Sequence, residues 1–445
     1  MRITNFLKGI TLARGTVRTS FASRGDLNLE ELFSKKMVIP LDLVEGIASL
    51  YNVDARQKKV FFNDVVHSIV FNVLQSSSTL ISQRLIARNF LYVHYPAPPG
   101  DPREFLVVRS PIAQPTLHHV LATTGPAPFL HLFQQLAWFV GRFLGKKQSL
   151  DVILTDATFV AVPSKRFKRV KAIMKNQFKE TPVIRSHVAT GRNLAPLTFI
   201  VDTLSTNDNT TFKMLLDGIE GIPARHVIFD RGVSNISHLK DVVERGKHYI
   251  TRRTASMKLT ITKKRRVAPP SKQPASLKDW KVIGDFLVEV GARDNPGRHA
   301  SRLVILEERG TGKRLELLTS NTTLPAWKVA MLYKERWSIE VFFKHLKGLF
   351  ASFTRPITTS ETGLIVQAAC IMIAVLVLLS FAKVLLGESP GKREWKIIME
   401  LLKTWLHSIP GITVLDRVQF KWLALQVLRG NSRKKDPPGM TGHAR

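Results

Sequence analysis

The chain has 445 residues, enough for two or three domains with cores of their own, and its 44% hydrophobic content excludes a chain too polar to fold. Sixty-six Lys and Arg face 34 Asp and Glu, a net charge of +32; that excess points to a polyanionic partner, because each neutralised phosphate releases a counterion. The single cysteine, Cys370, excludes an intramolecular disulfide and a cysteine-rich zinc site, and fits a reducing compartment.

Residues 1–148 read as a mainly helical region. Its first 25 residues hold Arg2, Lys8, Arg14, Arg18 and Arg24 and no acid. We read them as a basic arm in preference to an organelle transit peptide. A short helix is expected near Leu29, with Asn28 or Asp26 as its N-cap. A longer one is expected within 60–90, where Val65, Ile69, Val70, Val73 and Leu74 recur at helical spacing. A proline-rich loop at 95–103 closes that block, and a further helix fits 129–144.

From Leu150 the pattern changes. Residues 150–156, 183–190, 197–204, 226–230 and 248–250 read as strands, and 212–219 and 237–246 as helices. Strands first, then strand–helix alternation, indicate an α/β domain with a mixed sheet. Residues 251–320 break the order and read as a β-rich insertion, with strands at 282–290 and 301–307. Its basic run, Lys263-Lys264-Arg265-Arg266, is read as a solvated hairpin tip or a DNA contact in preference to a nuclear-localisation signal. A helix is expected over 326–350, with Pro325 suited to its first turn. The apolar run 364–386 is long enough to span a bilayer, where about 20 residues suffice. Gln367, Ser380 and Lys383 interrupt it and no second run matches it, so a buried scaffold helix is the preferred reading. A helical stretch follows at 391–428, and 429–445 is expected to be a disordered tail. There is no internal repeat.

The chemistry centres on Tyr333, Arg336, Glu340 and Lys347, at offsets of 3, 7 and 14 from Tyr333. At 3.6 residues per turn these share one helix face. Alone, Arg336 and Glu340 form an ordinary i,i+4 pair. The aspartates sharpen the reading, since Asp156 and Asp230 each end an apolar strand. A carboxylate there is costly unless it is paired, hydrogen-bonded or bound to metal. Taken singly, each is better explained structurally, Asp156 as a strand-end cap or turn residue and Asp230 as part of a turn. Two strand carboxylates and one from a later helix could together hold two hard cations with oxygen ligands, and two metals flanking a phosphate activate the attacking oxygen and stabilise the leaving one.

The run from Tyr333 to Glu340, followed by Lys347, resembles the Y-x2-R-x3-E-x6-K signature of the "insertion sequence four" group of bacterial DDE transposases. Phe342-Phe343-Lys344-His345-Leu346 looks like the same group, Asp230-Arg231-Gly232 resembles its second catalytic block and Thr155-Asp156-Ala157-Thr158 its first. The resemblance implies a ribonuclease-H-like catalytic domain at 149–390 with the insertion inside it, and leaves the helical residues 1–148 to bind DNA ends. It implies metal-dependent cleavage at transposon ends through a hairpin intermediate, then strand transfer into target DNA. It makes Asp156, Asp230 and Glu340 the ligands of two Mg2+ ions, replaceable by Mn2+. Tyr333, Arg336 and Lys347 would contact phosphates, which position a strand without reading it. Lys344, Arg231 and Trp337 would join them at the DNA. A homodimer on DNA in the bacterial cytoplasm, at the nucleoid and without membrane association, is the implied setting. Val233 stands where many members carry an aromatic residue, so either another residue such as Trp337 stacks on a flipped base or the flipping step differs. A nuclease of the same fold without strand transfer, and an inactive DNA-binding copy, are the competing readings.

Overall fold

The computed structural model describes residues 39–53, 61–75, 91–95, 105–109, 119–121, 123–144, 151–161, 173–176, 179–202, 208–233, 235–270, 274–354, 360–386 and 394–407. In chain order the elements are α1 (Leu41–Leu50), α2 (Phe62–Gln75), β1 (Leu91–Tyr95), β2 (Phe105–Arg109), α3 (Ala127–Leu144), β3 (Val152–Ala161), β4 (Ile173–Asn176), β5 (Lys179–Gly191), β6 (Pro196–Asp202), α4 (Asp208–Gly218), β7 (His226–Ile228) and α5 (Ile236–Glu244). There follow β8 (His248–Arg252), β9 (Leu259–Lys264), β10 (Trp280–Val290), β11 (His299–Glu308), β12 (Arg314–Thr319), α6 (Ala326–Glu335), α7 (Trp337–Leu349), α8 (Ala351–Thr354), α9 (Glu361–Leu386) and α10 (Glu394–His407). The helix expected near Leu29, the stretch 408–428 and the tail 429–445 lie outside the described residues.

The chain divides into two compact units, one of residues 1–144 with 345–445 and one of residues 145–344. In the first, α9 packs against α2, α3 and α10. It is the one helix among the described residues long and apolar enough to cross a membrane, and 89% of its apolar window is buried within protein. A helix apolar all round needs cover on every side, and neighbouring helices supply it here. Leu378 is wholly buried; Leu378→Ala is expected to cost about 2–5 kcal/mol, read as a lower denaturant midpoint for this unit. The unit also holds an antiparallel hairpin, β1 with β2, inside a region expected to be mainly helical. The prolines assigned to a closing loop lie between its two strands.

The second unit is built on one ten-stranded mixed sheet. Strand β3 pairs antiparallel with β5 and parallel with β7, and β7 pairs parallel with β8. Beyond β8 the pairing is antiparallel through β12, β11, β10 and β9. The insertion is therefore β-rich and continues the sheet. Its Val288, Val290 and Leu303 share one apolar core with Ile153, Val227 and Phe229. The basic run begins within β9, the outermost strand, where Lys263 and Lys264 are exposed. Helices α4 and α5 contribute Phe212, Leu215, Leu239 and Val242 to the same core. Helix α5 starts on an Asn235 cap, whose Oδ1 accepts from the Ser237 amide at 3.0 Å. Gly246, with φ +70°, turns the chain after it, a conformation that only glycine adopts freely.

One interior group predicts acid sensitivity. His226 is buried beside His248, and Asn321 lies 3.1 Å from its Nε2. Burial first, then His248, lowers its pKa from 6.5 to about 4, with Asp151 opposing and Arg225 assisting. Between those values the unfolded chain binds the extra proton. Stability should therefore fall as pH drops from about 6.5 to 4, by on the order of 3 kcal/mol for this group. Denaturation curves across that window should show a smaller loss for His226→Gln than for wild type, and equal losses would exclude His226 as the cause.

Candidate active site

Strand periodicity aims both aspartates at the same face. On β3, Ile153 enters the apolar core with the helices while Asp156 points the other way. On the neighbouring strand Val227 and Phe229 enter that core, so Ile228 and Asp230 take the opposite face. Leu154 pairs with Ile228 in the parallel register. Asp156 and Asp230 each follow two residues later: Asp156 lies inside β3, which runs on to Ala161, so the expected strand-end position holds for Asp230 alone, two residues beyond β7. The Asp230 backbone is held where the strand ends: the Phe229 amide donates to the Ile250 carbonyl at 3.2 Å, and Thr251 Oγ1 donates to the Asp230 carbonyl at 3.3 Å.

Helices α6 and α7 supply the rest. They cover the helix expected over 326–350, with an interruption at Arg336 alone, whose own backbone stays right-handed helical. Buried Tyr333 donates its hydroxyl to Asp230 Oδ1 at 3.3 Å. Arg336 Nη1 donates to Asp156 Oδ2 at 3.2 Å, and its Nη2 donates to Glu340 Oε1. One guanidinium thus neutralises two of the three candidate carboxylates. The Asp156, Arg336 and Glu340 side chains are 25%, 13% and 33% exposed, so the cluster is half-open to solvent.

The electrostatics agree with that crowding. Burial raises the Asp156 pKa above its ordinary value, and Glu340 and Asp230 add to the rise; the Ala157 amide, 2.8 Å from Oδ1, and Arg336 oppose it. The Tyr333 phenol is pushed up by burial first and by Asp230 next. For Arg336 burial works against the charge, but Tyr333, Asp230, Asp156 and Glu340 outweigh it and hold the guanidinium protonated.

Three carboxylates from three elements, close enough to raise the pKa of one of them, form an all-oxygen set suited to a hard divalent cation. Among the described residues, however, no three His, Cys, Asp or Glu side chains are gathered tightly enough to hold a metal ion as they stand. The charge between Asp156 and Glu340 is supplied by Arg336. The structure brings Asp156, Asp230, Tyr333, Arg336 and Glu340 together. Arg231 is exposed beside Asp230, and Lys344 is exposed on α7. Lys347, also exposed on α7, belongs to the first unit. Trp337 is 59% exposed, whereas Val233 is buried in the core; of these two, only Trp337 is free to stack on a base. Sequence reasoning missed the link from Arg336 to Asp156 and the support from Thr251. The i,i+4 spacing signals only the bond from Arg336 to Glu340.

Comparison with known proteins gives two matches. A segment of 120 residues is 28% identical to "Putative transposase y4zB" of Sinorhizobium fredii (strain NBRC 101917 / NGR234), covering 27% of this chain. The match spans 32% of that relative's length, about a third. The family model described as "Transposase DDE domain" matches residues 147–378, slightly more than half of the chain. That span contains both aspartates and the whole of α6 and α7. On that match, the chain belongs to the transposase DDE domain family.

Proposed function

We propose that the protein is a DNA transposase that cuts DNA at transposon ends and joins the ends to a target, with Asp156, Asp230 and Glu340 as its metal ligands. One observation carries the reading: Asp156 on β3 and Asp230 just beyond its parallel neighbour β7, with Glu340 tied to the first through Arg336. A strand carrying the first aspartate between an antiparallel and a parallel neighbour supports a ribonuclease-H-like core. The spacing of Tyr333, Arg336, Glu340 and Lys347 supports membership of the "insertion sequence four" group.

Two Mg2+ ions, or Mn2+ in their place, would activate the attacking oxygen and stabilise the leaving one. The chain's own residues do the rest. Asp156, Asp230 and Glu340 would hold the metals. Arg336 exchanges its carboxylate partners for a phosphate, which its planar fork binds equally well. Tyr333, kept protonated, orients Asp230. Lys344, Lys347 and Arg231 take phosphates along the strand, and exposed Trp337 offers a stacking face to a displaced base. Residues 1–148 bind the DNA ends, within a homodimer that pairs two ends in the bacterial cytoplasm.

The test uses the full-length chain and labelled DNA carrying the element's own ends, with Mg2+, with Mn2+ and with a chelator. Cleavage that needs the metal, with products joined to a second DNA, is the expected result. Cutting without joining would leave the nuclease reading. Binding without cutting under either metal would sink both.

A further inference from the structure

We infer that buried Arg302, in the insertion strand β11, is a positioning residue for the reaction: with Asp285 it fixes the 321–324 turn, and through it the helix that carries Tyr333 to the site. The inference rests on the reading of Asp156, Asp230 and Glu340 as the reacting centre. Arg302 and Asp285 are 1% and 3% exposed. Their contact is bidentate, Nε to Oδ1 at 2.7 Å and Nη2 to Oδ2 at 2.8 Å. The remaining nitrogen, Nη1, reaches out of the sheet. It donates to the Leu324 carbonyl and, at 3.5 Å, to that of Asn321.

The choice of residues argues against a merely cohesive role. A buried ion pair must repay a large desolvation cost, and a well-packed apolar pair often joins two strands as firmly. An apolar pair cannot bond carbonyls in a turn, which lack strand partners and need a donor when buried. The turn is gripped from within as well: Asn321 Oδ1 accepts from the Thr323 and Leu324 amides at 3.0 and 2.9 Å. Two further contacts run from the insertion in the same direction. Arg265 donates to the Thr322 carbonyl, and Lys334 Nζ lies 4.1 Å from the Trp280 ring centroid.

The turn feeds directly into Pro325 and α6. A helix is stiff and rises about 1.5 Å per residue, so a shift at Leu324 is carried to Tyr333 and on to Arg336. A misplacement on the order of 1 Å at a reacting centre can cost roughly a hundredfold in rate. The insertion thereby becomes part of the catalytic scaffold.

Two full-length variants test this. Arg302→Lys keeps a charge against Asp285 but lacks the fork that reaches both partners. Arg302→Met combined with Asp285→Leu removes both charges and leaves no buried ion alone. Three quantities are read: cleavage turnover at saturating DNA, the Kd for that DNA, and hydrogen exchange of the 323–336 amides. Turnover is expected to fall roughly tenfold to a hundredfold in the double variant, and less in Arg302→Lys. The Kd should stay within about twofold, and exchange should quicken in 323–336 while β3 and β7 keep their protection. Turnover and exchange that both match wild type would overturn the inference, as would quickened exchange with unchanged turnover. A wild-type chain that cuts no DNA would instead overturn the reading of the site, and the role of Arg302 in the reaction with it.

Discussion

Glu340→Gln is expected to lower metal-dependent cleavage about a thousandfold or more, with DNA affinity held within about threefold. The substitution is close to shape-neutral. A glutamine keeps an oxygen that can accept from Arg336 Nη2, the bond that Glu340 Oε1 makes now. The guanidinium therefore keeps its bridge to Asp156, and α7 keeps its length and place. Only the third negative charge is lost. A metal ligand contributes several kcal/mol of transition-state stabilisation; about 4 kcal/mol corresponds to a thousandfold at 1.36 kcal/mol per tenfold. Binding should survive because phosphate contacts from Lys and Arg carry most affinity for DNA, and Glu340 opposes them if anything. Cleavage and gel-shift titrations on the same preparation decide the matter. Residual activity within tenfold of wild type would remove Glu340 from the metal site.

Features with a local period could be read from the sequence, and those made by distant pairing could not. The apolar runs before Asp156 and Asp230 announce strands because fully buried strands need continuous apolar residues, and the structure places β3 and β7 there. The 3, 7 and 14 spacing announces one polar helix face. The break at Arg336 is not announced, because Arg336 favours helices as strongly as its neighbours do. Strand β9 escaped notice because Thr260, Ile261, Thr262, Lys263 and Lys264 are all exposed; an edge strand without a buried face shows no alternation, and charge is what protects such an edge. The hairpin of β1 and β2 was hidden for a different reason: five-residue strands beside a run of prolines look like loop until the second strand is paired with the first. Arg336 and Asp156 are 180 residues apart, and no local rule connects them. The buried pair of Arg302 and Asp285 was equally silent, since on a basic chain one more arginine carries no signal.

Arg336→Gln is the second large effect expected, a rate loss of roughly a hundredfold joined to a shift of the acid limb of the pH–rate profile toward higher pH. The two parts have one cause. Arg336 is the cation that Asp156 and Glu340 share, and it is one of two influences that hold down the Asp156 pKa, the Ala157 amide being the other. Burial, Glu340 and Asp230 all push that pKa up and remain in the variant. As a metal ligand Asp156 would have to be ionised, so activity would be lost as pH falls through its pKa. Raising that pKa further moves the loss to higher pH. The rate term would follow from losing the phosphate contact proposed for Arg336, which a glutamine cannot make as a charged fork. The same logic predicts the sign for stability. A carboxyl whose folded pKa lies above its unfolded value costs the fold stability as pH rises from the unfolded to the folded pKa, and that cost persists above both, so Asp156→Asn should raise the melting temperature at neutral pH while abolishing cleavage. A melting temperature that falls instead would mean that the bond to Arg336 outweighs the crowding of the three carboxylates. An acid limb that stays in place in Arg336→Gln would mean that Asp156 is not the group whose ionisation limits the reaction.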